Sequence, residues 1–188
     1  MTRQSDLAHE VTSTFFDKYG PRPELDVSGE DARWHDGSLY SAVSATWHVD
    51  ALVSNGGWPS VYYDGASRLV PIARDFLNDL GAVGLASACD AAIALGKQTY
   101  ARLLDSDEPT HQWLEQSLCE HTTDAEWDVP DDTWTKYAQT EDWWRLAADA
   151  ITKSHPEIVE QLASRDETSP DPDTPRRAPE DDGPTLFD

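Results

Sequence analysis

An all-α bundle of about seven or eight helices is the fold this sequence predicts, and three observations carry that expectation. Apolar residues recur every three or four positions along most of the chain, the spacing of one helix face. No stretch alternates convincingly at the two-residue period of a strand. Glycine, proline and acidic residues fall at the ends of the periodic runs, where helix termination and capping need them. A hydrophobic content of 38% with eight Trp, six Tyr and four Phe supplies a core, because each aromatic ring buries a large area.

The elements follow in order. Residues 5–19 carry Leu7, Val11, Phe15 and Tyr19 at four-residue spacing, closed by Gly20-Pro21. Residues 20–37, with Pro21, Pro23, Gly29 and Gly37, read as a loop. A second helix over 38–54 sets Leu39, Val43, Trp47 and Ala51 on one stripe and stops at Asn55-Gly56-Gly57, where positive φ is inexpensive. Trp58, Tyr62 and Tyr63 are expected to pack that corner. A third helix over 66–80 presents Leu69, Ile72, Phe76 and Leu80, with Pro71 limiting its start and Gly81 ending it. An Ala-rich helix over 82–104 turns Leu85, Cys89, Ile93 and Tyr100 inward, with Gly96 bending or interrupting it.

Residues 110–121 carry Trp113, Leu114, Leu118 and His121 as a further helix, and 122–130 read as irregular. Pro130 then opens a short helix holding Trp134 and Tyr137. Thr140 before Glu141-Asp142 is a cap for the helical run to Lys153, with acids beside the positive helix end. Ser154-His155-Pro156-Glu157 has the capping-box pattern and launches 156–164. From Ala163 onward, proline and charge with few apolar residues predict disorder. The chain thus divides into an N-terminal helix and loop (1–36), a helical domain (37–162) and an acidic Pro-rich tail (163–188).

Charge narrows the function classes. The formal net charge is −22 and the isoelectric point is near 4.3. Such a surface repels nucleic acid and anionic lipid and attracts basic partners, so neither direct nucleic-acid binding nor membrane association is expected. No apolar run reaches the length of a membrane span and no signal-peptide pattern opens the chain, so a soluble cytoplasmic protein is expected. The bland alternative is adaptation to a salt-loaded cytoplasm, where the Debye length shrinks to about 3 Å at molar salt. Placement argues for recognition. Asp105, Asp107, Glu108, Glu115, Glu120, Asp124, Glu126, Asp128, Asp131, Asp132, Glu141 and Asp142 crowd one segment whose only Lys or Arg is Lys136. These acids are the candidate partner-binding surface, with Asp64, Asp75 and Asp79 as contributors.

Catalytic and metal chemistry find little support. The Asn55-Gly56-Gly57 turn follows a helix rather than a strand, is flanked by Asp50 and Asp64, and has no nearby lysine, so it is a poor phosphate loop. His111, Cys119 and His121 match no familiar zinc spacing. His48 with Asp50, and Cys89 with Asp90, sit at spacings that do not face each other on a helix. No enzyme activity, cofactor or metal is expected.

Asn55-Gly56-Gly57-Trp58 with Tyr62-Tyr63 resembles the signature of the DNA-mimic protein nineteen family. Residues 72–82 (IARDFLNDLGA) and 131–157 (DDTWTKYAQTEDWWRLAADAITKSHPE) are similar to later blocks of that family, and the likeness spans about 37–160. Trp58-Pro59 departs from its usual Phe and polar residue. The resemblance implies an all-helical fold, a homodimer, no enzyme activity, and an acidic surface that imitates DNA and occupies a basic DNA-binding protein. Some relatives are linked to immunity or defence, so an inhibitor of a basic toxin or nuclease is the alternative partner class. At the C terminus Leu186-Phe187 resembles the end of a sliding-clamp peptide, although Gly183 stands where a glutamine is usual.

Overall fold

The computed structural model describes residues 3–19, 38–104 and 118–168. The described residues are helical and contain no strand. The helices are α1 (Arg3–Tyr19), α2 (Leu39–Tyr63), α3 (Leu69–Asp79), α4 (Val83–Leu104), α5 (Asp124–Ala138), α6 (Trp143–Ser154) and α7 (Glu157–Thr168). A short helical stretch at 118–120 precedes α5. α3 packs between α2 and α4, and α5 lies along both α2 and α4. α1 packs on α6 and α7.

The buried apolar side chains form one continuous core with two concentrations. Val43, Val49, Trp58, Val61, Leu69, Leu77 and Leu85 are fully buried among α2, α3 and α4, while Phe15, Ile151 and Ile158 close α1 onto α6 and α7. Burial of each such side chain stabilises the fold by about 1.5–3 kcal/mol before conformational entropy is set against it. Tyr40 at the start of α2 joins the two, with ring centroids 6.1 Å from Phe15 and 5.7 Å from Phe16.

Helix ends follow the chain's glycines, with one correction. Gly81 has φ +80°, its N–H donates to the Asn78 carbonyl, and Ala82 N–H donates to Leu77, which is the Schellman closure predicted for α3. The second helix, expected to end at Asn55-Gly56-Gly57, breaks there and resumes. Gly56 (φ −157°, ψ 17°) and Gly57 (φ 71°, ψ −176°) leave helical geometry, and the helix restarts at Trp58 with Pro59 in its first turn, where the missing N–H does no harm. α2 ends instead at Tyr63, just before Gly65 with φ 72°, and the Ala66 N–H donates to the Val61 carbonyl.

Other expectations shift for local reasons. The segment expected to be irregular, 122–130, holds the first half of α5. Thr123 is the N-cap and Glu126 reaches back to its N–H at 2.9 Å, so the helix starts at Asp124 rather than at Pro130. Asp142, not Thr140, caps α6, accepting from Arg145 N–H at 3.1 Å. The Ser154–Glu157 capping box does not form. Ser154 ends α6, and the Glu157 carboxylate turns to the Tyr19 hydroxyl and to Lys18, 3.3 Å away. α7 runs on to Thr168, past the expected start of disorder at Ala163. Gly96 does not interrupt α4; it lets Tyr62 approach, since a Cβ there would lie 2.9 Å from that ring. Leu7, Tyr63 and Tyr100, expected to pack inward, are exposed. The loop at 20–37, most of the helix expected over 110–121, and the tail beyond Thr168 with Leu186 and Phe187 lie outside the described residues.

Candidate acidic interaction surface

The acidic segment divides into carboxylates that hold the fold and carboxylates that face solvent. Asp105, Asp107, Glu108 and Glu115 lie outside the described residues. Among the rest, four are engaged at helix beginnings, where unpaired N–H groups and the positive end of the helix dipole meet negative charge.

Asp131 is the most telling of these. Its Oδ1 accepts from the Trp58 N–H at 2.8 Å, capping the restarted half of α2 from a different helix. The Trp58 indole N–H donates to the Pro130 carbonyl at 3.1 Å, and its ring meets Trp134 edge-on at 5.6 Å. Gly57 must be glycine on two counts: its φ is +71°, and a Cβ would sit 2.8 Å from Asp131 Oδ2. The Asn-Gly-Gly-Trp signature is therefore one half of a joint whose other half is Pro130-Asp131. Burial is the main cause raising the Asp131 pKa above the ordinary Asp range; the Trp58 N–H opposes it, and repulsion from Asp128 and Asp132 adds to it.

Glu141 does the same for α4. Its two oxygens accept from Gly84 N–H and Leu85 N–H, each at 2.9 Å. Tyr137 packs so closely there that a Cβ on Gly84 would fall 2.2 Å from its ring. Glu126 caps α5 and pairs with Arg102 at 2.9 Å, so α4 and α5 run antiparallel, fastened at both ends by acids. The Thr123 N–H and hydroxyl, and then Arg102, hold the Glu126 carboxyl below its ordinary pKa. Asp142 caps α6.

What faces solvent is Glu120, Asp124, Asp128 and Asp132. The last three recur at four-residue spacing on α5, so they share one face, about 6 Å apart along the axis. None of the three has a hydrogen-bond or cation partner among the described residues. Lys136 continues the row by one turn and sits 4.8 Å from the Tyr137 ring centroid. Asp64 and Asp79 are exposed at the ends of α2 and α3. Asp75 is exposed but lies 2.7 Å from Arg74, which also reaches Asp90 at 3.4 Å, so its charge is largely offset.

Asp50 was weighed from sequence only as a flank of the Asn55 turn and beside His48, and was not placed among the surface acids. Asp50, on α2 between Val49 and Ala51, is half-buried near the indoles of Trp143, Trp144 and Trp134. Burial raises its pKa and the three indoles pull it back. A single acid within an otherwise apolar helix stripe was the available signal. Trp143 and Trp144 stack at 4.4 Å and His9 of α1 meets Trp144 edge-on at 5.5 Å, so this node ties α1 and α6 to α2.

The groups weighed for catalysis or metal binding sit apart. Cys89 is buried, and burial pushes its thiol far above the usual range, leaving it protonated at neutral pH. The Cys119 Sγ lies 3.4 Å from the Pro59 carbonyl, and His111 is outside the described residues. No group of three or more His, Cys, Asp or Glu side chains is placed to hold a metal among the described residues. No helix among them is long and apolar enough to cross a membrane.

A family model described as DMP19-like protein matches residues 40–155. The chain belongs to the DMP19-like protein family. This is the DNA-mimic protein nineteen family that the Asn-Gly-Gly-aromatic signature resembles. No curated protein and no solved structure matches the chain. The DMP19-like match begins in the first turn of α2 and ends at the cap of α6. It therefore contains the Gly57–Asp131 joint, the Glu141 cap, the Asp50 node and the solvent-facing row of α5, while α1 and α7 flank it.

Proposed function

We propose that the protein is a non-enzymatic DNA mimic whose acidic face, centred on Glu120, Asp124, Asp128 and Asp132, occupies the nucleic-acid-binding surface of a basic protein. The observation that carries this reading is the division of labour among the acids. Carboxylates needed for folding cap helices or form ion pairs, yet Asp124, Asp128 and Asp132 on α5 have no ion pair among the described residues, in a chain of net charge −22. Unneutralised like charge destabilises a compact state, so the row calls for an external cation-rich partner. Membership of the DMP19-like family supports the same reading. Spaced about 6 Å apart, the row alone is sparser than the one charge per ~3.4 Å along a DNA strand, so neighbouring acids must contribute to the imitation. The homodimer implied by the family belongs to the same proposal.

The test is affinity capture from native lysate across a salt series, comparing wild type with a variant carrying Glu120→Gln, Asp124→Asn, Asp128→Asn and Asp132→Asn. These four leave every capping carboxylate in place, so a loss of capture reports surface charge and not unfolding. The reading expects nucleic-acid-binding proteins retained at low salt, released as salt rises, displaced by duplex DNA and absent with the variant. Identical capture by the two proteins, or a captured partner that duplex DNA does not displace, overturns it. Light scattering on the purified chain reads the dimer.

A further inference from the structure

The surface side of the α2 break carries chemistry of its own. Ser54, Asn55 and Gly56 are exposed, whereas Val53 before them and Trp58 after them are buried. Helical geometry is lost immediately after Asn55, at two consecutive glycines, and each glycine weakens a helix by about 1 kcal/mol relative to alanine. Opening this stretch exposes no core side chain, so its local free energy lies at the low end of the range spanned by a folded protein. The residue after Asn55 also has no side chain to shield its backbone nitrogen. The volume a Cβ of Gly56 would take is occupied by the hydroxyl of Ser60, 2.1 Å from that position.

We infer that Asn55 is a site of spontaneous covalent modification, in which the Gly56 backbone nitrogen converts the Asn55 amide to a carboxylate. The Gly56 nitrogen attacks the Asn55 Cγ; the new N–Cγ bond forms as the backbone amide proton passes to solvent base, Nδ2 takes a proton back from solvent, and the Cγ–Nδ2 bond breaks to release ammonia. Water then opens the cyclic imide at either carbonyl, giving aspartate or isoaspartate. No electrons are exchanged, and water is the sole co-reactant. Either product adds one negative charge two residues before the glycine that abuts Asp131. The isoaspartate also lengthens the backbone by one carbon, at the place where the chain already leaves the helix.

The other asparagine, Asn78, is the internal control. It lies inside α3, is followed by Asp79, and its carbonyl accepts from the Gly81 N–H. The experiment holds the folded full-length chain in warm, mildly alkaline buffer beside a urea-denatured sample. Peptides spanning residues 55 and 78 are then weighed, and isoaspartate is scored at each. The inference expects Asn55 to convert in the folded protein no more than roughly tenfold slower than in the denatured chain, with Asn78 lagging well behind. Gly56→Ala should slow conversion in both samples. An unmodified Asn55 in folded protein while the denatured chain converts, or equal conversion at Asn55 and Asn78, overturns it. The readout is a peptide mass and depends on no partner, so it stands or falls separately from the DNA-mimic reading.

Discussion

Asp131→Asn and Asp131→Ala should behave in opposite ways, because the Asp131 carboxylate is useful for its oxygen and unfavourable for its charge. The oxygen accepts the Trp58 N–H at 2.8 Å, and asparagine offers an equivalent acceptor. Alanine offers none. Loss of an N-cap acceptor costs about 0.5–2 kcal/mol, and leaving a partly buried N–H without a partner pulls the value toward the upper half, about 1–2 kcal/mol. For a chain of this length that lowers Tm by roughly 2–8 °C. Asparagine removes the burial penalty and the repulsion from Asp128 and Asp132, so it should be neutral or stabilising, within about 0.5 kcal/mol. The pH dependence follows from the raised pKa. A group raised in the folded state contributes stability below its unfolded value of 3.8, and that contribution is lost as pH rises through the folded value. The advantage of Asp131→Asn over wild type should therefore be largest near neutral pH and vanish in acid. Chemical denaturation of the three proteins at several pH values measures this. If Asp131→Asn is as damaging as Asp131→Ala at neutral pH, the charge itself holds the joint and the reasoning fails.

Glu141→Ala should destabilise by about 1–3 kcal/mol, because two N–H groups at the start of α4 lose their acceptor together, and Glu141→Gln should recover part of it; denaturant midpoints read both. Gly84→Ala forces a methyl into the Tyr137 ring and should cost about 1–3 kcal/mol, visible as a lower Tm and altered tyrosine fluorescence. Glu157, held down to about 2 by Tyr19, Lys18 and His155, contributes stability that is complete above the ordinary value of 4.5 and lost as pH falls toward 2. Glu157→Gln should remove that slope from the acid limb of the stability curve, and an unchanged limb would assign the slope to other acids.

The helical class, the Gly81 stop and the turn at Asn55-Gly56-Gly57 were legible because each depends on local backbone preference. What local pattern could not supply was the destination of each carboxylate. Asp128, Asp131 and Asp132 look alike in a string, yet only Asp131 reaches across to another helix. The restart of α2 was unreadable for the same reason: its cap lies 73 residues away. Pro130 misled in a different manner. It was read as a helix start because proline favours first turns, while Thr123 and Glu126 had already supplied a stronger start upstream. The exposure of Leu7, Tyr63 and Tyr100 shows that spacing identifies a face without saying whether another helix arrives to cover it.

The row of free acids on α5 hangs on a helix whose opposite face is fixed by Trp127, Pro130 and Trp134. Exposed positions on such a helix tolerate substitution with little effect on stability, so the outward residues can be exchanged while the Asp131, Glu126 and Glu141 fastenings stay as they are. The scaffold and the outward face of α5 are thus independently variable. A fold of this kind can carry a different pattern of surface charge by altering a handful of side chains, with no change to the architecture that presents them.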